Sequence, residues 1–178
     1  PYVRMHTVPK AKSMEVVTDA GSQWQLPTLA AAMEMSATAW FFAKNLSQGL
    51  NVPVGIVNCS YGGTRVESWL PRNILETYSD IDLSPEGLAK YPDWETPLMM
   101  YNAMFPTVTR YTYKGIIWYQ GCSNVGSHTT YAQRLATMVA HWREQLALGD
   151  IPFYYVEIAP YDYDSEVQDE QSAYLREA

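Results

Sequence analysis

The chain has 178 residues, 47% of them hydrophobic and 17% charged, which places it among ordinary globular domains and outside the disordered and fibrous classes. Its 12 basic and 19 acidic side chains leave a net charge of −7, a field that repels a phosphate backbone, so nucleic acid is not an expected partner. No apolar run approaches the ~20 residues of a membrane span, and a chain of this length buries roughly 70% of its unfolded surface without a disulfide or metal staple.

One domain is expected. Cys59 and Cys122 are too few for a disulfide framework and leave the redox compartment open. The chain starts at Pro1 with no charged-then-apolar leader and finishes in a helix-like stretch at 172–178, so it reads as an excerpt of a longer protein.

Residues 28–49 carry Met35, Ala39, Phe42 and Leu46 on one helical face, with Gly49 as the stop signal. The β-branched run Val52-Pro53-Val54-Gly55-Ile56-Val57-Asn58 follows, without polar alternation, as expected of a central parallel strand covered on both faces. The stretch 60–97 is rich in Gly, Pro, Asp and Ser; a connection this long is functional or hides short helices.

A short helix is expected at 98–105, up to Pro106, then a second buried strand at 114–119 and a loop at 120–127. The clearest helix spans 130–148, with Thr130 and Gln133 at capping-box spacing and Tyr131, Leu135, Met138, Val139, Trp142 and Leu146 on one face. A third strand covers 153–158. Helices alternating with strands predict an α/β sandwich with a parallel sheet and right-handed crossovers.

In such a sheet, ligands collect at the carboxyl ends of the strands. Asn58-Cys59-Ser60-Tyr61-Gly62-Gly63-Thr64-Arg65 and Gln120-Gly121-Cys122-Ser123-Asn124 occupy two such ends, and residues 157–162 a third. Gly62-Gly63 can present bare backbone N–H groups to a developing oxyanion, or simply turn the chain out of the strand. Gln120 and Asn124 add side-chain amide donors, although Asn beside Gly and Ser also suits a plain turn.

The three histidines offer no evident base for a serine nucleophile: His141 falls on the flank of the long helix and His128 in a loop near Asn124. Ser60 imitates a nucleophile elbow, with Asn58 in place of its first glycine. No metal site is expected, because histidines and carboxylates show no ligand spacing. The 14 Tyr and 6 Trp, against 4 Phe, suit either a core or a wet sugar-binding surface; Trp69, Tyr91 and Trp94 fall in the irregular stretch, where a packing role is less automatic.

Residues 55–69, from Gly55-Ile56-Val57 through Gly62-Gly63-Thr64-Arg65-Val66-Glu67-Ser68-Trp69, resemble the second sequence block of sialate O-acetylesterases, and Ile117-Trp118-Tyr119-Gln120-Gly121-Cys122-Ser123-Asn124 resembles their third. Val3-Arg4-Met5-His6-Thr7-Val8-Pro9, Trp142-Arg143 and the segment 152–161 are similar to the same family. The resemblance implies the SGNH-hydrolase fold, a flavodoxin-like three-layer α/β/α sandwich. It also implies serine-dependent removal of O-acetyl groups from carbohydrates, with no cofactor. Secretion or a periplasmic site follows from the resemblance alone.

The family's nucleophile and Asp-x-x-His base blocks are absent from these 178 residues, so the chain is expected to hold the central portion of the catalytic domain and to be inactive by itself. The match assigns oxyanion-hole roles to Gly62, Gly63 and Asn124, with Gln120 lining the pocket, and substrate-side roles to Arg65, Glu67, Trp69 and Tyr119. Cys122 departs from the family's usual Gln-Gly-Glu-Ser; a small buried filler or an oxidisable thiol are its two readings. A sugar-binding module without chemistry, and an α/β-hydrolase using Ser60, stand as alternative functions.

Overall fold

The structure, a computed structural model, describes residues 2–178; Pro1, from which the excerpt reading starts, lies outside the described residues. Strand β1 (Val3–Thr7) buries Val3, Met5 and His6 while Arg4 and Thr7 face outward. It pairs antiparallel with the two-residue β2 (Trp24–Gln25). β1 is not among the strands expected above; with Arg and His interleaved, Val-Arg-Met-His-Thr carries a weak strand signal by itself.

The helix expected over 28–49 is broken. Thr28 caps α1 (Leu29–Met33) by accepting from Ala31 N–H, and Ser36 caps α2 (Ala37–Leu50) by accepting from Ala39 N–H. α2 buries Ala43 and Ser47 while Phe42 and Leu46 are exposed, so the expected apolar face is rotated. Small Ala43 packs with Val3, Met5 and Met35, and Ser47 Oγ donates to Val52 O at 2.7 Å, which holds that narrow side inward. Gly49 does not stop the helix; Asn51 does, at φ 53°, a left-handed conformation that Asn tolerates.

β3 (Val54–Asn58) runs parallel to β1, Val3 opposite Val54 through Thr7 opposite Asn58. The sheet order is β2-β1-β3, so β3 is an edge strand among the described residues and only half-buried, not the covered central strand expected.

The stretch 60–97 does hide short helices: a 3-10 turn (Val66–Trp69), α3 (Arg72–Leu75) and α4 (Pro85–Leu88). Elements of one turn are too short to show a period, yet this segment supplies Val66, Trp69, Leu70 and Leu75 to the main core. α5 (Met99–Met104) continues through Pro106 as a 3-10 turn (Phe105–Val108), with the proline in the first turn, where no N–H is needed.

β4 (Ile116–Trp118) leads into a 3-10 turn (Cys122–Ser127) and α6 (His128–Leu146). Thr130 lies inside α6 and donates its hydroxyl to Ser127 O at 3.2 Å, so the expected capping box does not form. The buried face of α6 is Tyr131, Arg134, Met138, Trp142 and Leu146. β5 (Phe153–Tyr155) is parallel to β4 and shorter than the strand expected at 153–158; Tyr154 and Tyr155 are exposed. α7 (Glu166–Glu177), capped by Ser165, packs on α6 and the turn before it.

The main core centres on aromatic rings. Trp69 meets Trp118 and Trp142 edge-on at 6.1 Å each, Trp118 meets Trp142 at 5.5 Å, and Phe105 stacks on Trp142 at 4.5 Å. Such pairs contribute about 0.5–1.5 kcal/mol each beyond the area they bury. Among the described residues, no helix is long and apolar enough to cross a membrane.

Candidate active site

Two strands in separate sheets end at one place. The chain leaves β3 through Cys59 to Tyr61 into an exposed turn at Gly62-Gly63, where Gly63 adopts φ +79°. It leaves β4 through Tyr119 and Gln120 into Gly121, at φ +146°. Both conformations are strained for a residue with a Cβ.

Side chains stitch the two loops together. Ser123 Oγ donates to Gly63 O at 2.7 Å, and Gln120 Nε2 donates to Thr64 O at 2.9 Å and to Asn124 Oδ1 at 2.8 Å. Asn124 Oδ1 also accepts from Val66 N–H at 3.0 Å, while Asn124 N–H closes its own turn on Gly121 O at 2.7 Å. With its carbonyl held by Ser123, the glycine turn is anchored from one side. Among the described residues, neither the Gly62 nor the Gly63 N–H donates to a protein acceptor. Free backbone donors of this kind can stabilise an anionic oxygen.

Asn124 is 0% exposed, at the floor of the joined loops. Its Nδ2 donates to Glu67 Oε2 at 3.0 Å, which leaves one amide hydrogen over. Glu67, 2% exposed, is the hub of the floor. Arg134 Nη1 donates to its Oε1 at 2.6 Å, and Arg65 Nε lies 3.3 Å from Oε2. Arg134 Nη2 reaches on to Asp80 at 2.6 Å, and Arg65 Nη2 donates to Ser127 Oγ at 2.6 Å.

Burial alone would raise the Glu67 pKa; the Arg65 charge, the Asn124 amide, a backbone N–H and Arg134 outweigh it, and the carboxyl is held below its ordinary range. Asp80 is lowered chiefly by its hydrogen bond from Arg134. Tyr131 donates its hydroxyl to Gln120 O at 3.1 Å and Oε1 at 3.0 Å, and burial pushes its pKa up to about 12, so it stays a neutral donor.

Gly62, Gly63, Gln120 and Asn124 are therefore brought together, with the glycines on the surface and Asn124 beneath them. Tyr119 is exposed at the end of β4, and Arg65 is half-buried beside the stitched loops. Glu67 and Trp69 do not lie on the substrate side. Glu67 has both oxygens committed, and Trp69 sits in the aromatic core with Nε1 donating to Thr64 Oγ1 at 2.9 Å, because a 3-10 turn folds residues 66–69 inward.

Arg134, Asp80, Ser123 and Thr64 escape the sequence reading. For Arg134 a signal exists: it sits three residues after Tyr131 and four before Met138, on the buried stripe of α6, where a charged residue calls for a buried partner.

Ser60 Oγ donates to Asn58 Oδ1 at 2.8 Å, and no α-helix follows it directly, so the elbow geometry is not formed. Ser22 Oγ does meet His6 Nε2 at 3.0 Å, but that ring is buried against Trp24 and Tyr111, with no hydrogen-bond partner at Nδ1. His128 packs on Tyr174, and His141 Nε2 is 2.8 Å from Tyr101 OH, more enclosed than expected. Cys122 is exposed, which overturns its reading as a buried filler; burial instead raises Cys59 to about 12.

The described residues form a mixed α/β fold with two parallel strand pairs and free backbone donors where β3 and β4 end, the class of scaffold that gathers ligands at strand carboxyl ends. The comparisons make it particular. Residues 18–177 match the family described as carbohydrate esterase, sialic acid-specific acetylesterase, and the chain belongs to that family.

Among its relatives, sialate O-acetylesterase of Homo sapiens is 31% identical over 119 residues, 65% of this chain and 22% of that protein. The Mus musculus enzyme is 24% identical over 189 residues, 84% of this chain and 35% of that protein. A crystal structure of a carbohydrate acetylesterase from Xanthomonas citri superposes with a TM-score of 0.81 at 29% identity, covering 99% of this chain and 39% of that one. The chain thus spans well under half the length of these relatives.

Proposed function

We propose that the whole protein is a carbohydrate O-acetylesterase that hydrolyses acetyl esters on sugars of the sialic acid type, and that this chain supplies the oxyanion side of its active site. The observation that carries the reading is the exposed Gly62-Gly63 turn with unpaired N–H groups, clamped through Ser123, Gln120 and Asn124 to the loop that leaves β4. In the resembling family, a serine oxygen attacks the acetyl carbonyl, and the sugar oxygen leaves with a proton from the histidine. Water then releases acetate. Negative charge develops on the carbonyl oxygen in both steps, and each preorganised donor to it lowers the barrier by about 2.7–4 kcal/mol.

The Gly62-Gly63 N–H groups act as the backbone donors. The family match assigns the side-chain donor role to Asn124, which is fully enclosed in this chain but keeps one Nδ2 hydrogen free of Glu67, and Gln120 holds that amide in its orientation. Arg65 and Tyr119 face the sugar; Glu67 and Trp69 act from beneath, by positioning. The nucleophile and base come from other parts of the same polypeptide. The parallel pairs β1/β3 and β4/β5 belong to one three-layer α/β/α sandwich in the whole domain, in agreement with the Xanthomonas citri similarity. The family resemblance favours a secreted or periplasmic enzyme.

The test is hydrolysis of an O-acetylated sialic acid by the whole protein and by Asn124→Ala, assayed below the unfolding temperature of the variant. A fall in kcat of at least tenfold is expected. Wild-type turnover in the variant would remove Asn124 from the oxyanion hole. Sugar binding by the wild type without acetate release would refute the esterase.

A further inference from the structure

Trp94 lies against the glycine turn. A Cβ placed on Gly63 would come within 3.0 Å of Trp94 Cδ1 and 3.3 Å of Nε1, so the pyrrole edge of the indole rests directly on the backbone that carries the free donors. Trp69, Trp118 and Trp142 are enclosed in the core, whereas Trp94 keeps 46% of its surface open.

Its position is fixed from both sides. Asp93 is ion-paired to Lys12 of the segment after β1, and Glu95 and Thr96 N–H groups both close on Pro92 O, at 2.9 and 3.1 Å. Thr96 and Leu98 are buried, and Leu98 N–H bonds Glu67 O at 3.1 Å, which roots the segment in the floor of the site. An indole that stays exposed beside a turn with free N–H groups, on a backbone tied down on both sides, leaves apolar surface in water, and an occupant with an apolar face would cover it.

We infer that Trp94 is the stacking wall of the substrate site, covering the C–H face of the sugar ring whose acetyl carbonyl points at Gly62-Gly63. It sets preference for sugar esters over small acetates, and the inference rests on the esterase reading above. A planar indole is suited to a pyranose face because the ring presents several C–H groups on one side while its hydroxyls stay at the rim. Close seating against Gly63 means that a stacked ring lies within one residue of the oxyanion donors. A β-carbon at position 63 would make the indole give way by a few tenths of an ångström.

The experiment uses the whole protein with Trp94→Ala and Trp94→Phe, assayed on an O-acetylated sialic acid and on 4-nitrophenyl acetate, with thermal unfolding of each variant. Trp94→Ala is expected to lower the ratio of kcat/KM for the sugar ester over that for 4-nitrophenyl acetate at least tenfold, mostly through KM, and Trp94→Phe to restore most of it. An unchanged ratio, whether both rates fall or neither does, would overturn the role. Calorimetric titration with free sialic acid decides the matter without turnover: binding weakened at least tenfold in Trp94→Ala supports the wall, and unchanged binding overturns it. A wild type that binds the sugar yet hydrolyses neither ester would refute the esterase reading and leave the stacking role to that titration.

Discussion

Gly63 combines two constraints that reinforce each other: φ +79°, which disfavours any Cβ, and the indole of Trp94, whose nearest atom would stand only 3.0 Å from a Cβ there. Gly62 shares neither, since nothing lies within 4 Å of its Cβ position. Gly63→Ala is therefore expected to cost about 1–3 kcal/mol in chemical unfolding, and Gly62→Ala about 0.5 kcal/mol or less. Equal losses would show that the strain is not confined to position 63. The pair Gly62-Gly63 was legible in the sequence as a turn with bare donors; which glycine touches an aromatic ring was not, because Trp94 reaches Gly63 across the whole of α3 and α4.

Among elements, the decisive tie is electrostatic. Arg134 of α6 holds the buried Glu67 of the 3-10 turn and reaches on to the exposed Asp80 beyond α3. Removing one member of a buried pair strands its partner, so Arg134→Met is expected to destabilise by about 3–5 kcal/mol, with much of the loss recovered in Glu67→Gln/Arg134→Met. Urea unfolding of the three proteins checks this. The pH dependence follows in sign. Because the folded-state pKa of Glu67 is lowered, its contribution is complete above the unfolded carboxylate value of ~4.3 and is lost as pH falls through the folded value. The unfolding temperature of the wild type should drop steeply in that acid window, and that of the Glu67→Gln variant less so.

The long helices announce themselves at this same scale. α6 shows a repeated apolar stripe, and α2 a periodic run, though its break at Ser36 depends on a cap that competes with continuation. The four-residue helices α3 and α4 could not be read that way. β1 escaped notice because its pairing with β3 spans the whole of α1 and α2.

At the scale of the molecule, two small sheets, β2-β1-β3 and β4-β5, meet through their loops at the candidate site. Oxyanion donors alone give no covalent route to acyl transfer, so the 178-residue chain, purified by itself, is expected to release no acetate from an O-acetylated sialic acid under conditions where the whole protein does. Specific turnover by the isolated chain would mean that it holds its own nucleophile and base.

What the sequence by itself determined is local: the acidic net charge, the periodic helices, the glycine turns, and the two motif-bearing loops, each readable within a window of a few residues. Only the tertiary structure decided that Asn124 lies under the turn rather than beside it, that Glu67 is a buried hub, that Trp69 belongs to the core, and that Trp94 rests on Gly63. Those relations join residues such as Asn124 and Glu67, 57 positions apart. No local pattern carries them, because they arise when packing forces buried polar groups to find partners wherever the folded chain brings one within reach.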